Sequence, residues 1–317
     1  MLSYFKAYYS MNIKFFSYVT AIMAVTFWGF TFVWVKNAYE YYNPVTTIFL
    51  RLIIACLILG PVFFIRKNRD KVKLEHIPWF MLLAFFEPFC YFMGEGFGLL
   101  YVSSTLGSMI VATIPLFTPL FALMLFREKM SVMNILGLFV SFFGILVFIV
   151  GKDLVFEISL KGIALMFFAV FSSVGHGLVA RWLTRDYGSL TIVTMQNIFS
   201  LFYFAPVFYF FEFEHFKGVV PTSGLIFLLF KLSVFGSVLA FLLYVAAIKE
   251  IGLARTAVFT NLIPVITAAA AFFMLGECLG IYKIAGIFFV ILGLFLSQTR
   301  FSESLNDESR EKAAQSG

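Results

Sequence analysis

The stretch EPFCYFMGEGFG, starting at Glu87, places two carboxylic acids eight residues apart with a tyrosine midway at Tyr91. On a regular helix eight residues turn the chain by about 800°, so Glu87 and Glu95 project about 80° apart, on one side, with Tyr91 about one turn from each. A carboxyl in such apolar surroundings has three uses: it holds a proton, releases it when water arrives, or pairs with the amine of a ligand. Few other groups in apolar runs offer chemistry. Arg51 and Lys231 are cationic, and His176, in SSVGHG, is the one imidazole. Gln196, Asn197 and Asn261 are neutral donors and acceptors suited to joining helices. Trp28 and Trp34, with Tyr91, are candidates to line a cavity for an apolar or cationic ligand. The two acids and two bases sum to zero. They fit a static ion-paired interior or a pathway in which a ligand or proton exchanges the partners, and both readings stay open. Glu87, nearer the centre of its apolar run, is the leading candidate.

Other chemistries lack their residues. No HExxH, no aspartate within an apolar run and no GxxxxGK[ST] phosphate loop is present, which leaves a membrane-embedded lipid-modifying enzyme as a distant alternative and speaks against ATP-driven transport. Cys56, Cys90 and Cys278 are too scattered for a disulfide framework or a zinc site. No metal or cofactor is expected, and the protein reads as a non-enzyme.

The elements that position these residues follow from composition. Hydrophobic residues make up 62% of the 317 and charged residues 13%, with a mean hydropathy of +0.97, too little charge to cover a soluble surface. About 20 apolar residues cross a bilayer as a helix. Ten runs qualify, predicting an all-α integral membrane fold. The first five are 18–35, 44–65, 78–100, 104–126 and 132–150, and the second five 162–180, 190–211, 224–247, 254–275 and 281–298. The first run reads as a retained span, lacking a clear cleavage site. Residues 1–17 form a predicted cytoplasmic N-terminal segment, and 299–317, polar and without apolar periodicity, a disordered cytoplasmic tail.

The net charge of +6 is a matter of topology. With the N terminus inside, the cytoplasmic segments carry sixteen lysines and arginines, five of them between Arg66 and Lys73, against five in the outer segments. Both termini are therefore expected in the cytoplasm. Basic residues so dispersed do not make a nucleic-acid surface.

The chain also repeats. Pro115, Glu128, Gly137 and Gly144 recur 149 positions later as Pro264, Glu277, Gly286 and Gly293. The halves, 18–150 and 151–298, each hold five predicted spans. An odd number inverts the second half relative to the first, the arrangement of secondary transporters. Each glutamate lies in a turn, where it is expected to favour the N terminus of the helix that follows. The glycines, seven apart, lie near one face and let backbones approach, and the prolines interrupt the helical ladder.

Proline, a glutamate between two spans and paired glycines, closing each half of a ten-span chain, resemble the EamA-type branch of the drug/metabolite transporter superfamily. FWGFTFVWVK from Phe27, with Pro44 and Arg51 after it, resembles the opening of an EamA repeat. The second half departs there: FSSVGHGLVAR from Phe171 lacks the Trp-Gly, and Gln196 stands where Arg51 would be. The resemblance covers about residues 15 to 298. It implies alternating-access transport across the cytoplasmic membrane, with export of an amino acid or similar metabolite as the first expectation and efflux of drugs or hydrophobic cations as the second. Spans 5 and 10 are expected at a repeat-packing interface. The expected partners are the lipid bilayer, a small-molecule substrate and a candidate coupling proton, in a monomer or a homodimer.

Overall fold

The structure, a computed structural model, describes residues 2–66, 70–118, 132–150 and 159–299, and the regular elements among them are all helical. Seven helices are long and apolar enough to cross a membrane, and three shorter apolar helices accompany them. In chain order these are α1 (Leu2–Ala38), α2 (Pro44–Ile65), α3 (Leu74–Gly98), α4 (Ser104–Thr118) and α5 (Val132–Val150). The second half supplies α6 (Leu160–Leu183), α7 (Ser189–Phe211), α8 (Ser223–Ile251), α9 (Arg255–Leu275) and α10 (Ile281–Thr299). The helix of α1 begins at Leu2 and reaches back across the predicted N-terminal segment. Glu128 and the C-terminal tail lie outside the described residues.

Four of these helices are interrupted, at matching places in the two halves. In α3 a π-helical segment covers Phe85–Cys90, and within it Glu87 has an extended backbone (φ −150°, ψ 123°). Pro88 is the local cause, since a proline lacks an N–H and pushes the preceding residue out of the helical region. The uniform 80° relation between Glu87 and Glu95 is thereby corrected: the two lie on separate helical segments. In α8 a second π-helical segment covers Leu232–Leu239, which contains the positions 149 residues beyond Phe85–Cys90. In α4 the ladder gives way to turn geometry at Ala112 and Thr113, before Pro115. In α9 a 3-10 turn, Val258–Leu262, precedes Pro264 in the first turn of the resumed helix.

The α5 and α10 helices pack closely and run antiparallel. The backbone of Gly137 meets that of Gly293, and Gly144 meets Gly286. A Cβ placed on Gly144 would lie 2.7 Å from the Gly286 carbonyl, and one on Gly286 would lie 2.8 Å from the Gly144 carbonyl. Between these contacts the Ser141 hydroxyl donates to the carbonyl of Val290, 149 residues on, at 3.1 Å. Such proximity requires residues without side chains, because lipid supplies no hydrophobic drive between helices.

Carboxylates join the halves at helix N termini, where four backbone N–H groups lack partners within the helix. Glu212, after α7, accepts from the Val45 N–H (3.2 Å), the Thr46 N–H (2.6 Å) and the Thr46 hydroxyl (2.7 Å), at the start of α2. Asp70, after α2, returns the relation by accepting from the Gly188 N–H (2.6 Å) and the Thr191 hydroxyl (2.8 Å), at the start of α7. Glu277 accepts from the Ser104 N–H (3.1 Å) and the Thr105 hydroxyl (2.7 Å). It therefore caps α4 of the first half and not α10, the helix that follows it. The expected attraction of a carboxylate to a helix N terminus holds, but across the repeat and not along the chain.

Candidate functional site: a cavity between the halves

The interrupted helices surround a cavity of about 50 Å³, room for roughly three or four water molecules. Its wall takes residues from α1 to α4 and from α6, α8 and α9, with none from α5 or α10. Arg51, Glu87, Tyr91, Glu95, His176 and Trp28 all line it. Of the ionisable groups singled out in the sequence, Lys231 does not. It stands over the rings of Trp34 (5.1 Å) and Phe227 (5.0 Å), so the four-charge set is not assembled. Trp34 is likewise absent from the wall; it stacks on Phe30 at 5.6 Å.

Arg51 is 2% exposed. Among the described residues its one hydrogen bond runs from Nε to the Ser237 hydroxyl at 2.8 Å, and its guanidinium lies over the Phe92 ring at 4.4 Å. Neither carboxylate is within ion-pairing distance of it, so the cation and the two acids reach the cavity unpaired with one another. Glu95 accepts from the Tyr91 hydroxyl at 3.0 Å. Glu87 turns the other way, toward the second half. Its Oε2 accepts from the Ser173 hydroxyl at 3.0 Å and lies 3.4 Å from His176 Nδ1. The other imidazole nitrogen, Nε2, is 3.0 Å from Gln196 Oε1 on α7.

The two π-helical segments do equivalent work. The segment in α3 hands Glu87 to Ser173 of the second half, and the segment in α8 hands the Gly236 carbonyl to the Trp28 indole N–H (3.3 Å) and Ser237 to Arg51. Gly236 stands 149 positions beyond Glu87 and Ser173 stands 145 beyond Trp28, so the Glu87–Ser173 and Gly236–Trp28 contacts sit at matching places in the two halves, whereas Arg51 and Gln196, 145 apart, have partners that do not correspond. The asymmetry is chemical: a carboxylate occupies one junction, and a backbone carbonyl the other.

Asn197 and Asn261 are buried but do not line the cavity. Asn197 Nδ2 donates to Val193 of its own helix at 2.8 Å, and both polar atoms of Asn261 lack a partner among the described residues. Neither joins helices, contrary to the expectation for these amides; Gln196 does. Ser173, Ser237 and Tyr244 line or support the site without having been singled out in the sequence. The readable signal for the site's geometry was the Glu87–Pro88 dipeptide, since a residue before proline leaves the helical region.

Helices able to cross a membrane, wrapped around a buried charged cavity, define a multi-pass membrane protein. The chain belongs to the EamA-like transporter family, whose model matches residues 15–150 and 160–299. A protein of Archaeoglobus fulgidus named an uncharacterized transporter is 22% identical over 88% of this chain and 97% of its own length. The uncharacterized transporter YcxC of Bacillus subtilis is 26% identical over 88% of this chain and 91% of its own. A solved crystal structure of 13% identity superposes with a TM-score of 0.64, covering 93% of this chain and 99% of the other, and shares the fold. The protein is accordingly a membrane transporter and not an enzyme.

Proposed function

We propose that this chain is a ten-span secondary transporter of two inverted five-span repeats that exports a small zwitterionic metabolite, an amino acid or a close relative, by alternating access. Both termini lie in the cytoplasm, and the membrane is the cytoplasmic one. The antiparallel contact between α5 and α10 and the reciprocal caps of α2 and α7 support the inverted arrangement. The substrate reading rests on one observation: the cavity presents a guanidinium and two carboxylates that do not pair with one another. A buried charge is costly without a partner, and a zwitterion supplies both complements, a carboxylate for Arg51 and an ammonium for Glu95 or Glu87. The cavity holds only a few waters as it stands, so the substrate enters a wider state of the same site. Efflux of a hydrophobic cation is the second reading, favoured by Trp28, Tyr91, Phe92 and Tyr244 in the wall.

Thermal unfolding of the purified protein against amino acids, sugars, nucleosides and organic cations separates the readings, because a ligand of the folded state raises the melting temperature. Zwitterionic amino acids should stabilise the parent, and Arg51→Gln should abolish that shift. Stabilisation by organic cations alone, unaffected by Arg51→Gln, would overturn the zwitterion reading in favour of the second.

A further inference from the structure

We propose that Glu87 and His176 together form the binding site for a coupling proton, and that Gln196 turns its amide to follow the proton on and off. The proposal rests on the transport reading above and adds to it the coupling ion and its address.

The hydrogen count at the site carries the argument. With the Gln196 amide in this orientation its oxygen only accepts, and the imidazole nitrogen facing it at 3.0 Å is then the one that carries a hydrogen. Nδ1 of a neutral ring is then a lone pair, and it faces another acceptor, Glu87 Oε2, at 3.4 Å. The arrangement closes with one further proton between them, on Oε2 as a carboxylic acid or on Nδ1 as an imidazolium paired with a carboxylate. When that proton leaves, the remaining imidazole hydrogen belongs on Nδ1, donated to the Glu87 carboxylate, and Nε2 becomes an acceptor. Gln196 meets that state by presenting its NH2 in place of its oxygen. Gln196 Nε2 has no partner among the described residues although the side chain is fully buried. A buried donor without an acceptor is destabilising; here it is the group that the proton-free state needs. The loaded and empty states differ by one proton and one amide rotation, and nothing else is consumed.

The setting suits a coupling site. Glu87 belongs to the first half, on the non-helical turn of α3, and Ser173, His176 and Gln196 belong to the second. Movement of one half against the other parts the two groups. The other titratable groups in the cavity wall are Arg51 from α2, Tyr91 and Glu95 from α3 and Tyr244 from α8, while α1, α4 and α9 contribute none. Arg51 and Glu95 share the cavity wall with Glu87, so a zwitterion that engages both changes the charge around Glu87 as it binds.

The test begins without substrate. Infrared difference spectra of the purified protein in nanodiscs, recorded across pH in a Glu95→Gln background so that the cavity's second buried carboxyl does not contribute, should show one buried carboxylic acid band that titrates. Glu87→Gln should remove it. Gln196→Leu, which keeps the bulk but not the amide, should shift its midpoint by about tenfold in proton concentration, and His176→Asn by at least as much. Lys231→Gln, outside the cavity, should leave it in place, and a parent-like size-exclusion profile admits each variant. A titrating band that persists in Glu87→Gln, or a midpoint unmoved in both Gln196→Leu and His176→Asn, would overturn the site. Vesicles loaded with a pH-sensitive dye complete the test, using the amino acid that gives the largest thermal shift. Proton movement with amino-acid flux, lost in Glu87→Gln, supports coupling. Amino-acid flux without proton movement overturns the proposal and leaves the transport reading intact, whereas a normal titration with no flux of any amino acid overturns the transport reading and leaves the proton site standing.

Discussion

Two carboxylates in one apolar run look equivalent by residue type, yet Glu87 and Glu95 have different partners, and their variants should separate. Glu95→Gln keeps a side chain that accepts from Tyr91, so it should weaken binding of a zwitterion while leaving its flux dependent on pH. Glu87→Gln should assemble normally and lose transport, or retain transport that no longer responds to pH; proteoliposome uptake measured across pH distinguishes the two. Ser237→Ala removes the one hydrogen bond that the Arg51 guanidinium makes among the described residues, and the loss of a bond to a charged group should lower stability by about 2 kcal/mol, read in thermal unfolding. Ionisable residues stand out against apolar sequence, which is why Glu87, Arg51 and His176 were legible before any fold was known. Ser173 and Ser237 were not, because hydroxyls are common in spans and these two matter only through contacts with the opposite half. Lys231 shows the converse limit, since residue type says nothing of the direction in which a long side chain runs.

Elements were legible where apolar runs are long, and less so where their ends and interruptions depend on tertiary contact. The proline interruptions of α4 and α9 follow from the sequence, and that of α3 was available in Glu87–Pro88, but α8 opens its π-helical segment without a proline. The glycines at the α5–α10 contact could be placed on a face by their spacing, though not matched to their partners. At that contact Gly286→Leu would drive a branched side chain into the backbone of α5 and should destabilise the fold by about 3 kcal/mol or more. Expression and melting temperature should fall before ligand preference changes; a stable variant with altered ligand preference would place this contact in the binding machinery instead. Glu212→Ala strips three hydrogen bonds from the start of α2 and should lower stability by about 2 kcal/mol, whereas Lys217→Ala, in an exposed pair with Glu214, should be nearly silent.

For the whole molecule the sharpest claim is orientation. Cys278 is exposed in the turn between α9 and α10, and Glu75 is exposed at the start of α3. With the half-buried Cys56 and Cys90 replaced by alanine, the native Cys278 should react with a membrane-impermeant maleimide added to intact cells. Glu75→Cys in a background without Cys278 should react only after the cells are opened. Labelling of both from the same side would remove the inverted arrangement. The charge bias makes this orientation an expectation that sequence alone can state, but the cavity was not legible there, because it exists only where seven helices from two halves converge.

The reciprocal caps also set an order on synthesis. Glu212 leaves the ribosome 166 residues after Thr46, a delay on the order of ten seconds or more at ordinary elongation rates. Before that interval ends residue 150 has been added and the first half is complete as a polypeptide, yet the opening turn of α2 still has only water or lipid headgroups for its N–H donors. The reverse does not hold, since Asp70 is already in place when Gly188 and Thr191 emerge. The early half thus offers the late one a finished docking point for α7, and the late half, once docked, closes the end that had been left open.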